Sequence, residues 1–159
     1  MREYYLSKKE MKPLIEQINK NWPEITINKL KNVRATDLKR GRFIITEKFK
    51  VIIINGTTIP FIKNNITENF PFIEVDINSI KFITNGANIM RPGITSFSHR
   101  FKKNSIILVK DQKYKKILAV GIALENSDDA EKMNSGAIIK NLHYVGDEFW
   151  NLEKFRWLS

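Results

Sequence analysis

Two glycines and a proline bracket one short stretch of this chain, Gly86-Ala87-Asn88-Ile89-Met90-Arg91-Pro92-Gly93. Glycine at either end lets a phosphate, ribose or base approach the backbone where any Cβ would collide. Backbone N–H groups beside such a turn can donate to an anion or a ribose hydroxyl, and Arg91 between them can pair with phosphate or stack on a base. The same residue types also build a helix C-cap followed by a β-turn, and serving the chain's own geometry is the commoner use of glycine. Directly downstream, Arg100, Lys102 and Lys103 form a basic cluster with Phe97 and Phe101 interleaved. A surface that stacks bases and pairs phosphates needs this mixture; a solvated loop over two core aromatics would show it as well.

Other chemistries find no residues to carry them. There are no cysteines, which removes disulfides, thiolate metal sites and cysteine nucleophiles. The two histidines, His99 and His143, are too few for a conventional zinc site. Alternation along Ile139-Lys140-Asn141-Leu142-His143-Tyr144 reads as a strand, so His143 is expected to be a satisfied structural histidine. Asp128, Asp129 and Glu131 resemble an acid/base or metal-binding group, but carboxylates at a helix start more often face the helix dipole. No P-loop, dinucleotide fingerprint, nucleophile elbow or zinc signature is present. The expectation is a protein without catalytic residues, metal or cofactor.

The formal net charge is +10, and a basic surface attracts polyanions. Residues 1–74 hold 14 basic and 8 acidic side chains, and residues 75–159 hold 13 and 9, so the charge is spread as +6 and +4 rather than gathered in a tail. A lysine-rich genome or a protein adapted to heat would give the same balance. A hydrophobic fraction of 42% in 159 residues is enough for one medium domain or two small ones with a real core. Charge within the first three residues and no apolar run behind them argue against a signal peptide. The longest apolar run, Val51-Ile52-Ile53-Ile54, is far too short to span a membrane, so a soluble protein is expected, and the absence of cysteine points to the cytoplasm.

The elements that must position these residues can be traced along the chain. Ser7 and Glu10 have capping-box spacing, and Met11, Leu14, Ile15, Ile18 and Trp22 follow as one helical stripe over about 7–21. Pro13 implies a kink, or a regular helix starting near Lys12; Pro23 ends it. Ile25, Ile27 and 30–33 predict a first strand or two, followed by strands over 42–47 and 49–54. Asn55-Gly56 signals a hairpin whose return strand, 57–62, lies at an edge or bulge because it contains Pro60. A polar loop over 63–69 and the anchor Phe70-Pro71-Phe72 lead to the second half. There Asp76 caps a helix through 83 or 84, stopped by Asn85-Gly86, and a strand over 87–90 ends at the turn Pro92-Gly93. Strands over 105–110 and 116–124 flank the turn 111–114, Ser127-Asp128-Asp129 caps a short helix, and Gly136 releases a strand over 137–144. An aromatic-rich segment, Phe149-Trp150 to Trp157, closes the chain. A helix followed by many short strands indicates a small, partly open barrel.

The block from Val75 to Ile94, with Asn85-Gly86-Ala87-Asn88-Ile89-Met90-Arg91-Pro92-Gly93 at its centre, resembles the opening of a PUA domain. Ala119-Val120-Gly121-Ile122-Ala123 is similar to the central strand of that domain. Gly136-Ala137-Ile138 and Leu142-His143-Tyr144-Val145-Gly146-Asp147-Glu148-Phe149-Trp150 resemble its close in one branch, the malignant T-cell-amplified sequence proteins with their ligatin relatives and archaeal counterparts. In that branch a pre-PUA domain comes first, and the capped helix, Trp22-Pro23 and the Asn55-Gly56 hairpin fit its pattern. The resemblance implies an α+β protein: an α/β pre-PUA domain over 1–74 packed on a PUA-type β pseudobarrel over 75–159. It implies a non-catalytic RNA-binding protein, translation-associated, whose partners are tRNA or ribosomal RNA and the small ribosomal subunit in initiation, reinitiation or recycling. Eukaryotic members work with a density-regulated partner protein, and here any protein partner is of unknown identity. It implies contacts from the glycine loop and the last barrel strand, and with the basic cluster the expected RNA contacts are Gly86, Ala87, Asn88, Met90, Arg91, Pro92, Gly93, Arg100, Lys102 and Lys103. PUA domains also accompany pseudouridine synthases and transglycosylases, so an accessory subunit of an RNA-modification enzyme is the alternative. A protein-interaction adaptor with an incidental basic surface is a third.

Overall fold

A computed structural model describes residues 2–158, and among them all side chains except those of 65, 66 and 155–158. The part of the aromatic-rich close that falls on Trp157 therefore lies outside the described side chains. The chain divides into two compact units, residues 1–69 and 70–159.

The first unit contains β1 (Glu3–Tyr5), α1 (Lys8–Asn21), β2 (Arg34–Asp37), β3 (Arg42–Ile45), β4 (Lys50–Ile54) and β5 (Thr57–Pro60), with the strands hydrogen-bonded in sequence order. Every pairing is antiparallel. The capping box forms in both directions: Glu10 N–H donates to Ser7 Oγ at 3.2 Å, and Ser7 N–H to Glu10 Oε1 at 3.0 Å. Those bonds start the helix at Lys8, upstream of Pro13, which stays inside it. The backbone acceptor that Pro13 leaves without a donor is on exposed Lys9, where water replaces it. Leu14, Ile18 and Trp22 turn inward, each burial stabilising by about 1.5–3 kcal/mol. Trp22 Nε1 donates to the Thr58 carbonyl at 3.0 Å, fixing the end of α1 to β5.

No strand forms where one was expected over Ile25 to Val33. Ile27, Leu30 and Val33 are buried, but at a spacing of three, from irregular chain. Asn19 substitutes for a strand partner: its Oδ1 accepts from Ile27 N–H at 2.7 Å and its Nδ2 donates to the Ile27 carbonyl at 2.8 Å. Asn55 and Gly56 both take positive φ, 51° and 76°, as a tight hairpin turn requires. Pro60 sits in β5, an edge strand, where its missing donor leaves no ladder bond unmade.

The second unit runs β6 (Phe72–Val75), a 3-10 turn (Ile77–Ser79), α2 (Ile80–Ile83), β7 (Ile89–Met90), a 3-10 turn (Arg91–Gly93) and β8 (Ile94–Phe97). It continues through β9 (Ile106–Asp111), β10 (Ile117–Ala123), α3 (Ser127–Lys132), β11 (Ala137–Tyr144) and α4 (Glu148–Leu158). The sheet order is β7-β11-β10-β9-β6-β8. β7 and β8 are its opposite edges, yet only the three residues Arg91–Gly93 join them. So short a link forces the sheet to roll until its edges approach, which makes the expected pseudobarrel. Ile73, Val75, Ile89, Ile107, Val109, Ala119, Ile138 and Ile139 fill its interior.

β6 pairs with β8 and β9, so the division between units falls after Asn69 and not after Glu74 as expected. β6 and β8 are short, and their pairing partners are distant in sequence, so neither stood out as a strand. The strand expected over 87–90 shrinks to Ile89–Met90, because the Ala87 carbonyl and the Asn88 side chain bond to Asn141. The N-cap position of α3 is Asn126, not Ser127. Ser127 is buried, its Oγ accepting from Phe101 N–H and donating to the Phe101 carbonyl.

Candidate nucleic-acid interface

Asp76 starts the site. Its carboxylate accepts from Ser79 N–H at 3.0 Å, capping the turn into α2. At the far end Gly86 takes φ +93°, and the N–H groups of Gly86 and Ala87 close on the carbonyls of Ile83 and Phe82. A Cβ on Gly86 would lie 3.1 Å from the Tyr144 hydroxyl, so the position needs glycine for both its conformation and its contact. Asn141 on β11 clips the loop beyond: its Nδ2 donates to the carbonyls of Ile83 and Ala87, both at 3.0 Å, and its own N–H donates to Asn88 Oδ1 at 3.0 Å. The loop is thus held from its backbone.

A groove of about 270 Å3 lies between α2 and this loop, lined by Ser79, Phe82, Ile83, Ala87, Asn88, Ile89, Met90 and Gly93. Its rim is apolar and open to solvent, with Phe82 58% and Met90 49% exposed. Lys81 Nζ stands 5.1 Å from the Phe82 ring centroid. An exposed ring beside a cation can stack a base and neutralise its phosphate.

The structure sorts the expected contacts into three groups. Ala87, Asn88, Met90 and Gly93 meet in the groove, with Gly86 and exposed Pro92 adjoining it in the chain. Arg91 does not face it. Arg91 Nε donates to the Ala130 carbonyl at 2.8 Å, Nη1 to Ile94 at 3.2 Å and Nη2 to Glu131 at 3.3 Å, with the guanidinium 5.2 Å from the Phe97 ring. Through these bonds Arg91 ties α3 to the β7–β8 link. Gly93 also serves packing, since a Cβ there would meet Ser79 Oγ at 2.5 Å.

The third group, Arg100, Lys102 and Lys103, lies along α3 from its start. Lys103 N–H bonds to Asn126 and Phe101 N–H to Ser127, at the start of α3, whereas Arg91 holds its end. About four helical residues, roughly 6 Å, separate the two backbone attachments. Arg100 pairs with Asp128 at 3.1 Å and with Glu131, so those carboxylates meet a guanidinium rather than a metal. Phe101 is buried and stacks on half-buried Phe97 with centroids 6.2 Å apart, which makes both rings core side chains. Lys102 and Lys103 are exposed and form no ion pair among the described residues. No group of three or more His, Cys, Asp or Glu among the described residues could hold a metal.

His143 is fully buried, with Nδ1 2.7 Å from Asp147 Oδ2 and Phe149 edge-on. Burial alone would raise the Asp147 carboxyl. The His143 hydrogen bond and charge, with the N–H groups of Trp150 and Tyr144, outweigh it and hold the carboxyl below its ordinary range. This pair fastens β11 to α4. Sequence reasoning missed Phe82, Lys81, Ser79 and Asn141. Phe82 carried a signal: it is the aromatic residue that falls off the 77/80/83 stripe of its helix, and an apolar side chain there points outward.

A rolled six-stranded sheet whose edges meet at a glycine-bracketed groove defines a PUA-domain protein, and the PUA domain model matches residues 71–145. The chain belongs to the PUA-domain family that includes the malignant T-cell-amplified sequence proteins and their archaeal counterparts. It is 34% identical to a protein of Methanocaldococcus jannaschii, over 96% of this chain and 97% of that one. It is 31% identical to human malignant T-cell-amplified sequence 2, over 71% of this chain and 67% of that protein. Translation machinery-associated protein 20 of Eremothecium gossypii is 33% identical over 66% of this chain and 59% of its own length. A solved structure from Pyrococcus horikoshii shares the fold, with a TM-score of 0.76 at 24% identity over 95% of this chain and 99% of that one.

Proposed function

We propose that this protein is a non-catalytic, cytoplasmic RNA-binding protein of the translation apparatus. It takes a single-stranded RNA segment, such as a tRNA acceptor end or an exposed stretch of ribosomal RNA, into the groove beside α2. The carrying observation is the groove itself: a preformed apolar slot with an exposed ring and a cation at its rim, in a chain of net charge +10. Phe82 and Met90 stack or pack on a base, Lys81 and Lys140 on the adjoining strand supply charge, and the backbone clipped by Asn141 supplies the shape. Gly86, Ala87, Asn88, Pro92 and Gly93 form the wall, while Arg91 holds the wall in place. Similarity to Translation machinery-associated protein 20 supports the translation context, and the small ribosomal subunit is the expected site of action. The unit 1–69 is read as the pre-PUA domain, available to a protein partner.

Crosslinking in native cells, with sequencing of the bound RNA, tests this directly. Small-subunit RNA or tRNA acceptor ends should dominate, and Phe82→Ala should reduce their recovery while the protein stays folded. Co-purification with a synthase or transglycosylase in place of small subunits would overturn the translation assignment. Protein binding with no RNA affinity at moderate salt would overturn the RNA-binding reading altogether.

A further inference from the structure

The turn between β9 and β10 is unlike the other hairpins of this chain. Four of the seven residues from Lys110 to Lys116 are lysine, and the tip carries Tyr114 with 65% of its surface exposed. An aromatic ring left this open buries little for the fold. The tip around it, by contrast, is tightly held. Asp111 is only 2% exposed, and its carboxylate accepts the N–H of Tyr114 and, at 3.0 Å, that of Lys116. Lys115 N–H closes on the Asp111 carbonyl at 3.0 Å, and Asp111 N–H on the Lys116 carbonyl at 3.1 Å. Lys113 Nζ stands 5.2 Å from the Tyr114 ring centroid, and Lys115 reaches Glu74 at 2.6 Å.

The position of this tip is as informative as its composition. Gln112 N–H donates to the Val75 carbonyl at 3.0 Å, and the next residue, Asp76, donates its N–H to the Gly93 carbonyl at 3.0 Å. Gly93 lines the groove. Two inter-strand steps therefore carry the hairpin to the groove's Gly93–Ser79 end, a distance of roughly 10 Å. A fixed, solvent-facing ring among lysines, two strands over from a slot for single-stranded RNA, has the chemistry of a stacking platform with phosphate partners.

We propose that the β9–β10 tip is a second RNA subsite: Tyr114 stacks on a base of the strand leaving the groove, and Lys113 and Lys116 pair with its phosphates. This rests on the groove binding RNA, and it adds a direction, because the bound strand runs past Gly93 toward the hairpin. The buried Asp111 prearranges the tip, so little ordering is needed when RNA arrives.

The test uses the full chain and fluorescein-labelled single-stranded RNAs of mixed sequence, about 4 and about 12 nucleotides long, which bracket common barrel-fold site sizes. In anisotropy titrations, Tyr114→Ala should weaken the long probe by roughly 5- to 100-fold and leave the short probe unchanged. Tyr114→Trp, which keeps a stacking face, should restore the affinity. Lys113→Ala with Lys116→Ala should flatten the long probe's log-affinity against log-salt slope by about 1.4, from about 0.7 per single-strand phosphate contact. If the wild type binds the long probe and these variants change neither affinity nor slope, the subsite is overturned and the groove reading survives. A Tyr114→Ala loss equal on both probes, or one that Tyr114→Trp does not restore, also overturns it. If the wild type binds neither probe, both readings fall together.

Discussion

Replacing Arg91 separates a clamp from a phosphate contact. The guanidinium donates to three main-chain carbonyls, and the shortest bond ends on Ala130, which is fully buried. Arg91→Ala leaves that carbonyl with only its 3.1 Å bond from Met133 N–H, costing about 0.5–1.5 kcal/mol. The bond to Glu131 is exposed and that to Ile94 is long at 3.2 Å, so they add about 0.5 kcal/mol each. Loss of the contact over Phe97 adds about 0.5–1 kcal/mol. The expected destabilisation is therefore about 2–3.5 kcal/mol, which in a unit spanning 70–159 lowers the melting temperature by on the order of 10–20 °C. Arg91→Lys is the sharper variant, because it keeps the charge but loses the planar fork that reaches three acceptors. Thermal and guanidinium unfolding should show Arg91→Lys recovering little of the stability. Titration with RNA well below its melting temperature should show affinity within about twofold of wild type, since none of the three donors faces the groove. The clamp is refuted if Arg91→Lys or Arg91→Ala unfolds like the wild type while RNA affinity falls tenfold or more.

Two further outcomes follow from the same contacts. In Gly93→Ala the new Cβ forces Ser79 Oγ to rotate away from its 3.2 Å bond with Asp76, a loss of about 0.5–1.5 kcal/mol. Ser79→Ala removes the clashing atom, so Gly93→Ala in that background should cost almost nothing, and strictly additive effects in denaturant unfolding would disprove the contact. Asp147 has its carboxyl depressed in the folded protein, so between its folded and unfolded values the unfolded chain holds more protons. Its stabilisation is thus fully present above the ordinary Asp value of about 4 and is lost as pH falls through the lower folded value. Asp147→Asn should be less stable at neutral pH and lose less on acidification; parallel stability curves from pH 7 to pH 2 would contradict this.

The fold was legible wherever a local signal decided it. Ser7 with Glu10 predicts the start of α1, Asn55-Gly56 predicts the hairpin, and alternation predicts β11, because caps, tight turns and pleats depend on residues a few positions apart. Where the partner is distant, the pattern misleads. Ile27, Leu30 and Val33 look like strand residues, yet Asn19 and burial hold them in irregular chain. β6 and β8 look like linkers, yet they complete the barrel, a consequence of pairing that no short window contains.

The Gly86–Gly93 segment divides along the same line. Its composition by itself determined that the chain stops a helix there, turns tightly and begins a strand, because glycine and proline act through their own φ preferences. Only the tertiary structure decided what each residue faces. Arg91 is a cation in a basic stretch and reads as a phosphate contact until α3, some forty positions on, presents its carbonyls to the guanidinium. Phe82 reads as one more helix residue until the sheet takes Ile83 and leaves the ring at the groove's edge. The physical reason is that a side chain's bonding capacity is a property of its type, whereas the partner that uses it is set by the packing of elements far apart in the chain.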